Sequence, residues 1–80
     1  MQILFLTMTE FRLLHVLASN PSRAFTREQL LDKSERGTVV VDRNIDVHIR
    51  GLRKKLKTYA ACIETVRGVG YRFNISKIEN

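Results

Sequence analysis

Read from the amino end, the chain alternates short apolar stretches with capping and turn signals. Met1 to Leu6 contains the apolar run ILFL and predicts one short strand. Thr7-Met-Thr-Glu10 follows with the spacing of a capping box, in which a Thr side chain and a Glu carboxylate satisfy backbone donors left open at a helix start. A helix is therefore predicted from this point, with Phe11, Leu14, Leu17 and Ala18 as its inward stripe and Asn20-Pro21-Ser22 as its stop. Thr26-Arg-Glu-Gln29 repeats the start signal and opens a second helix of about two turns through Leu30 and Leu31. Ser34 to Val41, with Gly37 as a breaker and a β-branched run behind it, reads as a loop with an extended end, and Asp42 is placed to cap the next helix.

The segment Arg43 to Lys57, RNIDVHIRGLRKKLK, has the clearest two-sided pattern in the chain. At about 100° per residue, Ile45, Ile49, Leu52 and Leu56 fall within roughly 60° of one another, and Arg43, Val47, Arg50, Gly51 and Lys54 cluster opposite. That helix anchors by one face and presents cations from the other. Ala61 to Ile75, ACIETVRGVGYRFNI, then contains two β-prone runs around Gly68 and Gly70, a hairpin signal in which glycine supplies positive φ. Tyr71, Phe73 and Ile75 alternate as one buried strand face; Ile63 and Val66 differ in parity and share a face only across a bulge or a strand end. Ser76 to Asn80 reads as a fraying tail.

Eighty residues make one domain, 1–80, near the lower size at which one core suffices without disulfides or metal. Composition sharpens the picture mainly through charge. Six of the fourteen Lys and Arg lie between Arg43 and Lys57 against the single acid Asp46, so this stretch carries +5 of the net +6. A sequence pI near 10.1 favours polyanionic partners, nucleic acid or an anionic surface. Cys62, the only cysteine, permits no internal disulfide and no cysteine-rich zinc site, and fits a reducing cytosol. No apolar run approaches the roughly 20 residues of a membrane span, so no membrane partner and a cytoplasmic location are expected. Paired carboxylates, a nucleophile with its base, a phosphate-cradling loop and a ligand cluster are all missing, which argues against an enzyme and against any cofactor or metal.

Two short helices, a longer basic helix and a terminal hairpin give an α+β winged helix-turn-helix: three helices plus a C-terminal β-hairpin wing. Four pieces of the sequence strengthen that reading: Leu6-Thr-Met-Thr-Glu-Phe-Arg-Leu-Leu14, Thr26-Arg-Glu-Gln-Leu-Leu31, Asp46-Val-His-Ile-Arg50 with Leu52-Arg-Lys-Lys-Leu56, and Glu64-Thr-Val-Arg-Gly-Val-Gly-Tyr-Arg-Phe73. In this order and spacing they resemble the DNA-binding effector domain of OmpR/PhoB-type bacterial response regulators, over most of the chain.

The resemblance implies sequence-specific binding of double-stranded DNA, as head-to-tail protomers on direct repeats, in transcriptional regulation within two-component systems. It implies that Arg43, Val47, Arg50 and Lys54 face the major groove, with Val47 able to touch a thymine methyl and Arg50 a phosphate or guanine edge. His48 and Arg53 on the flanks, and Thr65, are implied to meet phosphate, and Arg67 at the wing tip to enter the adjacent minor groove. The loop Glu35 to Val41, here Glu35, Arg36, Gly37 and Thr38 above all, corresponds to the segment that in this family can contact RNA polymerase.

The sequence departs from the family pattern in three places. Gly51 stands where many relatives carry an arginine that reads bases, which points to altered base selection. The second helix continues Ser34-Glu35-Arg36-Gly37 where relatives have an apolar-tryptophan-glycine sequence. The N-terminal sheet is reduced from four strands to the one that Met1 to Leu6 could form, and no receiver domain is present; a fragment of a longer regulator and a protein without phosphorylation control both fit.

Each feature also has a plainer reading. A charge run is commonly a solvated helix face. His15 reads as structural or exposed, Cys62 as a small apolar strand residue, and Tyr71 and Phe73 as core because Arg72 and Asn74 alternate with them. The competing functions are recognition of structured RNA and docking of the basic helix on an acidic protein.

Overall fold

The computed structural model describes residues 5–35, 37 and 40–78. The four residues of the expected N-terminal strand before Phe5, together with Arg36, Thr38, Val39, Glu79 and Asn80, lie outside them; Phe5 and Leu6 are irregular. Helix α1 spans Met8–Ser19, strand β1 Ala24–Thr26, helix α2 Arg27–Ser34 and helix α3 Ile45–Leu56. A 3₁₀ segment, Lys57–Cys62, leads to strands β2, Ile63–Val66, and β3, Gly70–Phe73, and a second 3₁₀ turn covers Ile75–Lys77. The three strands form an antiparallel sheet in the order β1-β3-β2. Three helices with this small sheet make the expected α+β winged helix.

Both capping boxes form. Thr7 Oγ1 accepts from the Glu10 amide at 3.1 Å and Glu10 Oε1 from the Thr7 amide at 2.9 Å; Thr26 and Gln29 do the same at 3.0 and 2.9 Å. The third helix starts later than its charge pattern suggested. Asn44 is the N-cap residue, and Asp42 instead accepts from the Asn44 amide at 2.7 Å, closing a turn ahead of the helix. Arg43 therefore lies before α3, not on it.

The core gathers the inner faces of all three helices and one sheet face. Leu13, Leu17, Phe25, Leu30, Ile49 and Leu52 are fully buried, each contributing about 1.5–3 kcal/mol relative to exposure. On α1 the buried stripe is Glu10, Leu13, Val16 and Leu17. The expected stripe is thus rotated: Leu17 holds its place and Leu14 is half-buried, but Ala18 is exposed and Phe11 faces outward, where its ring stacks on His15 at 6.1 Å. The α3 anchors Ile45, Ile49 and Leu52 are buried as the 3.6-residue period requires, with Leu56 packed at the edge.

In the hairpin, Ile63 pairs with Phe73 and Thr65 with Tyr71, while Phe25 flanks Tyr71 from the other side. Ile63, Tyr71, Phe73 and Phe25 share the core face. Val66 is half-buried at the strand end, which resolves its parity conflict with Ile63. Ile75 is exposed because the strand stops at Phe73; Asn74 caps the following 3₁₀ turn, so the tail begins as an ordered turn and not as a frayed end. The glycines differ in purpose. Gly68 has φ +80 in the loop closed by the Val69 amide on Val66 O at 2.9 Å. Gly70 lacks positive φ; a Cβ there would sit 2.1 Å from the Phe25 carbonyl oxygen, so β1 can pair with β3 only past a bare backbone.

Candidate nucleic-acid interface

α3 is bolted through its apolar stripe, which leaves Val47, Arg50 and Lys54 exposed on the opposite side. Among the described residues, neither Arg50, Lys54 nor Arg67 has a carboxylate within ion-pair distance. Arg43 is exposed just ahead of α3, 3.9 Å from an equally exposed Glu28 carboxylate, a contact weak enough to yield to a better anion. His48 is half-buried on the flank, its Nε2 3.6 Å from Asp42 Oδ2. Val47, Arg50 and Lys54 are exposed on α3 and Arg67 in the hairpin loop, as the periodicity and the turn signal predict, whereas Arg43 has left the helix for the turn ahead of it.

Arg53 and Gly51 depart from expectation as well. The Arg53 guanidinium turns toward the hairpin: Nε and Nη2 donate to Ile63 O at 3.0 and 2.6 Å, and Nη2 also donates to Thr65 Oγ1 at 2.9 Å. It lies 5.5 Å from the centre of the Tyr71 ring. Its fork geometry, which a lysine lacks, is what allows two acceptors at once. Thr65 is exposed and uses its oxygen as acceptor for Arg53, which leaves its hydroxyl hydrogen available to an outside oxygen. Gly51 belongs to the flank that meets α1. A Cβ there would stand 2.7 Å from Glu10 Oε2, so this glycine makes room for a buried carboxylate in place of opening the groove face.

That carboxylate joins α1 to α3. Glu10 is 5% exposed and accepts from Lys55 Nζ at 2.6 Å as well as from the Thr7 amide. Burial pushes its pKa upward, but the Lys55 and Thr7 donors and the Lys55 charge outweigh burial and hold it below the ordinary glutamate value. At the other end of α3, Asp46 Oδ1 accepts from Arg27 Nε at 2.7 Å and from the Tyr71 hydroxyl. These donors, Arg27 first, hold the Asp46 carboxyl below its usual range, while burial and the bond to Asp46 raise the Tyr71 phenol. The roles of Glu10, Arg27 and Asp46 were missed in the sequence. For Glu10 the capping-box motif explained the residue completely and masked its second partner; for Asp46, a lone acid in a basic helix was the available signal.

Three helices, a wing and a cationic α3 face invite comparison with known proteins. The family described as "Transcriptional regulatory protein, C terminal" matches residues 2–73. The chain belongs to this family. Its members similar to this chain include the phosphate regulon transcriptional regulatory protein PhoB of Pseudomonas aeruginosa, 52% identical over 68 residues, which cover 82% of this chain and 30% of that protein. The transcriptional regulatory protein BaeR of Escherichia coli is 47% identical over 76 residues, covering 90% of this chain and 32% of that protein. This member of the transcriptional regulatory family thus spans about a third of the length of these relatives. Among solved structures, the DNA-binding domain of response regulator AdeR in complex with an intercistronic region superposes with a TM-score of 0.74 at 33% identity, covering 91% of this chain and 78% of that one. The C-terminal domain of the nisin resistance regulator NsrR gives 0.75 at 35% identity over 86% of this chain and 72% of that one. The family match includes α3 and the whole hairpin. Among the described residues, no group of side chains could hold a metal ion and no helix is long and apolar enough to cross a membrane.

Proposed function

We propose that this domain binds double-stranded DNA in a sequence-specific manner, with α3 in the major groove and the β2–β3 wing against the adjacent minor groove. The observation that carries this reading is the outward row Val47, Arg50 and Lys54 on a helix whose opposite face is locked into the core. Cations with no carboxylate in ion-pair distance among the described residues can neutralise phosphates without first breaking an ion pair to one of those residues, and Val47 offers apolar surface suited to a thymine methyl. Arg67, exposed in the hairpin loop, is the wing's contact, and Arg43, His48 and the Thr65 hydroxyl flank the helix as phosphate ligands.

The domain acts as the effector part of a response regulator in the bacterial cytoplasm. Support comes from its membership among transcriptional regulators and from AdeR, whose corresponding domain is in complex with an intercistronic region. Head-to-tail protomers on direct repeats, and contact of the loop containing Glu35, Arg36, Gly37 and Thr38 with RNA polymerase, belong to the same reading. Glu35 pins the base of that loop by accepting from the Val41 amide at 3.1 Å, and Val40 is exposed.

Titration with duplex DNA and with hairpin RNA of equal length tests the function. Duplex should be preferred, and if about five phosphates are neutralised per protomer, log affinity against log salt should slope at roughly −4 to −5. A preference for RNA, or affinity insensitive to salt, rejects it. Selection of bound sites from a random duplex library would then reveal repeat spacing and base choice.

A further inference from the structure

We propose that Asp46 and Arg53 are positioning residues that fix the angle of the wing relative to α3, and that they do so without contacting DNA themselves. This rests on the DNA-binding reading above. The two residues sit seven positions apart, about 10 Å along the helix axis, one in the first turn of α3 and one in the last. Asp46 holds β3 through the Tyr71 hydroxyl, and Arg53 holds β2 through Ile63 O and the Thr65 hydroxyl. Tyr71 and Thr65 are register partners, so the two attachments grip neighbouring strands at one level of the sheet. Two separated attachments prevent rotation, which one would allow.

The surroundings reinforce the clamp. Arg27, the first residue of α2, donates to Asp46 at 2.7 Å and lies 5.5 Å from the Tyr71 ring, as Arg53 does. The ring is thereby contacted by two guanidinium groups, and an acid near a polyanion is compensated by its own cation. Arg67 follows Thr65 by two residues, roughly 7 Å of strand, so the clamp acts close to the loop that must reach the second groove. Both residues would otherwise be assigned to solvent or phosphate. A phosphate ligand requires only a cation, whereas this site requires a fork with two parallel donors.

A double-mutant cycle on duplex affinity, with thermal melts alongside, separates these roles. Arg67→Ala in the natural sequence should weaken binding about tenfold. In an Arg53→Lys background, which keeps the charge but loses the fork, the same change should cost less than about twofold, because the wing no longer sits in register. Tyr71→Phe, which removes only the hydroxyl bonded to Asp46, should reduce the Arg67→Ala penalty in the same way and serves if Arg53→Lys does not fold. An unchanged tenfold penalty in these backgrounds overturns the clamp while leaving DNA binding intact. Absence of salt-dependent duplex binding by the unaltered protein overturns the DNA-binding reading and the clamp with it.

Discussion

Arg53 and Lys55 on the flanks of α3 can be set against Arg50 and Lys54 on its outer face. All four lie in one basic run, yet the flanking pair is spent inside the molecule, on the hairpin and on α1, while the outer pair has no ion-pair partner among the described residues. Helical phase separates them: the flanks of an anchored helix meet neighbouring elements, and only the side opposite the anchor meets solvent. Counting charge along a sequence therefore overstates the part available to a polyanion. Under the proposed function, the excess that matters for binding is the outward row and the wing tip.

The comparison breaks most decisively at the anchor. Leu52→Ala, at a fully buried α3 position, should cost about 2–5 kcal/mol in chemical denaturation and remove both sets of contacts together. Next comes the inner pair. Glu10→Ala should cost about 1–3 kcal/mol, since it leaves the Lys55 ammonium and the Thr7 amide without their acceptor, yet duplex affinity measured where the protein is folded should hardly change. A large loss of affinity at unchanged stability would show that the inner flank also binds.

The same pairs set the acid limit. Glu10, Asp46 and Glu64 all have folded pKa values below their ordinary ones; Glu64 is held down by Asn74 and Arg72, the latter at 2.8 Å. In acid the unfolded chain binds protons that the folded chain refuses. Their contribution should thus be complete above about pH 5 and disappear progressively as pH falls through the ordinary carboxylate range near 4 toward the lower folded values. Melting temperatures across that range provide the check, and Glu10→Ala should flatten the dependence.

Gly51→Ala offers a smaller, signed effect. In the natural sequence the new methyl meets Glu10 Oε2 at 2.7 Å and should destabilise, whereas in a Glu10→Ala background helix propensity should dominate and stabilise by up to about 1 kcal/mol. An identical sign in both backgrounds would refute the pairing of Gly51 with Glu10. The smallest stability effect belongs to the outer row: Lys54→Ala should alter unfolding by less than about 0.5 kcal/mol while making the salt slope shallower by about one.

Much of the fold was legible because its signals are local. Capping boxes at Thr7 and Thr26, the Pro21 stop and the α3 stripe each act within a few residues, and all four appear in the structure. Strand β1 was missed because Ala24–Thr26 is three residues long and exists only by pairing with β3. The α1 stripe was set about one position off because Phe11 is a strong apolar signal, but its outward position is decided by what packs beside α1. Of the candidate site, Val47, Arg50, Lys54 and Arg67 emerged as exposed from periodicity and turn chemistry alone. Arg53 and Gly51 did not, since their neighbours are 10 or more residues away in sequence.

By itself, then, the sequence determined where the first two helices begin, which stripe of α3 is apolar and where the hairpin turns, because those outcomes follow from backbone donors, side-chain period and glycine φ over short spans. Tertiary structure alone decided the employment of each charge. Asp46 and Arg53 became ties, Glu10 gained a lysine from another helix and Gly70 proved a passage for β1, because each of those outcomes depends on what long-range packing brings within a few ångströms.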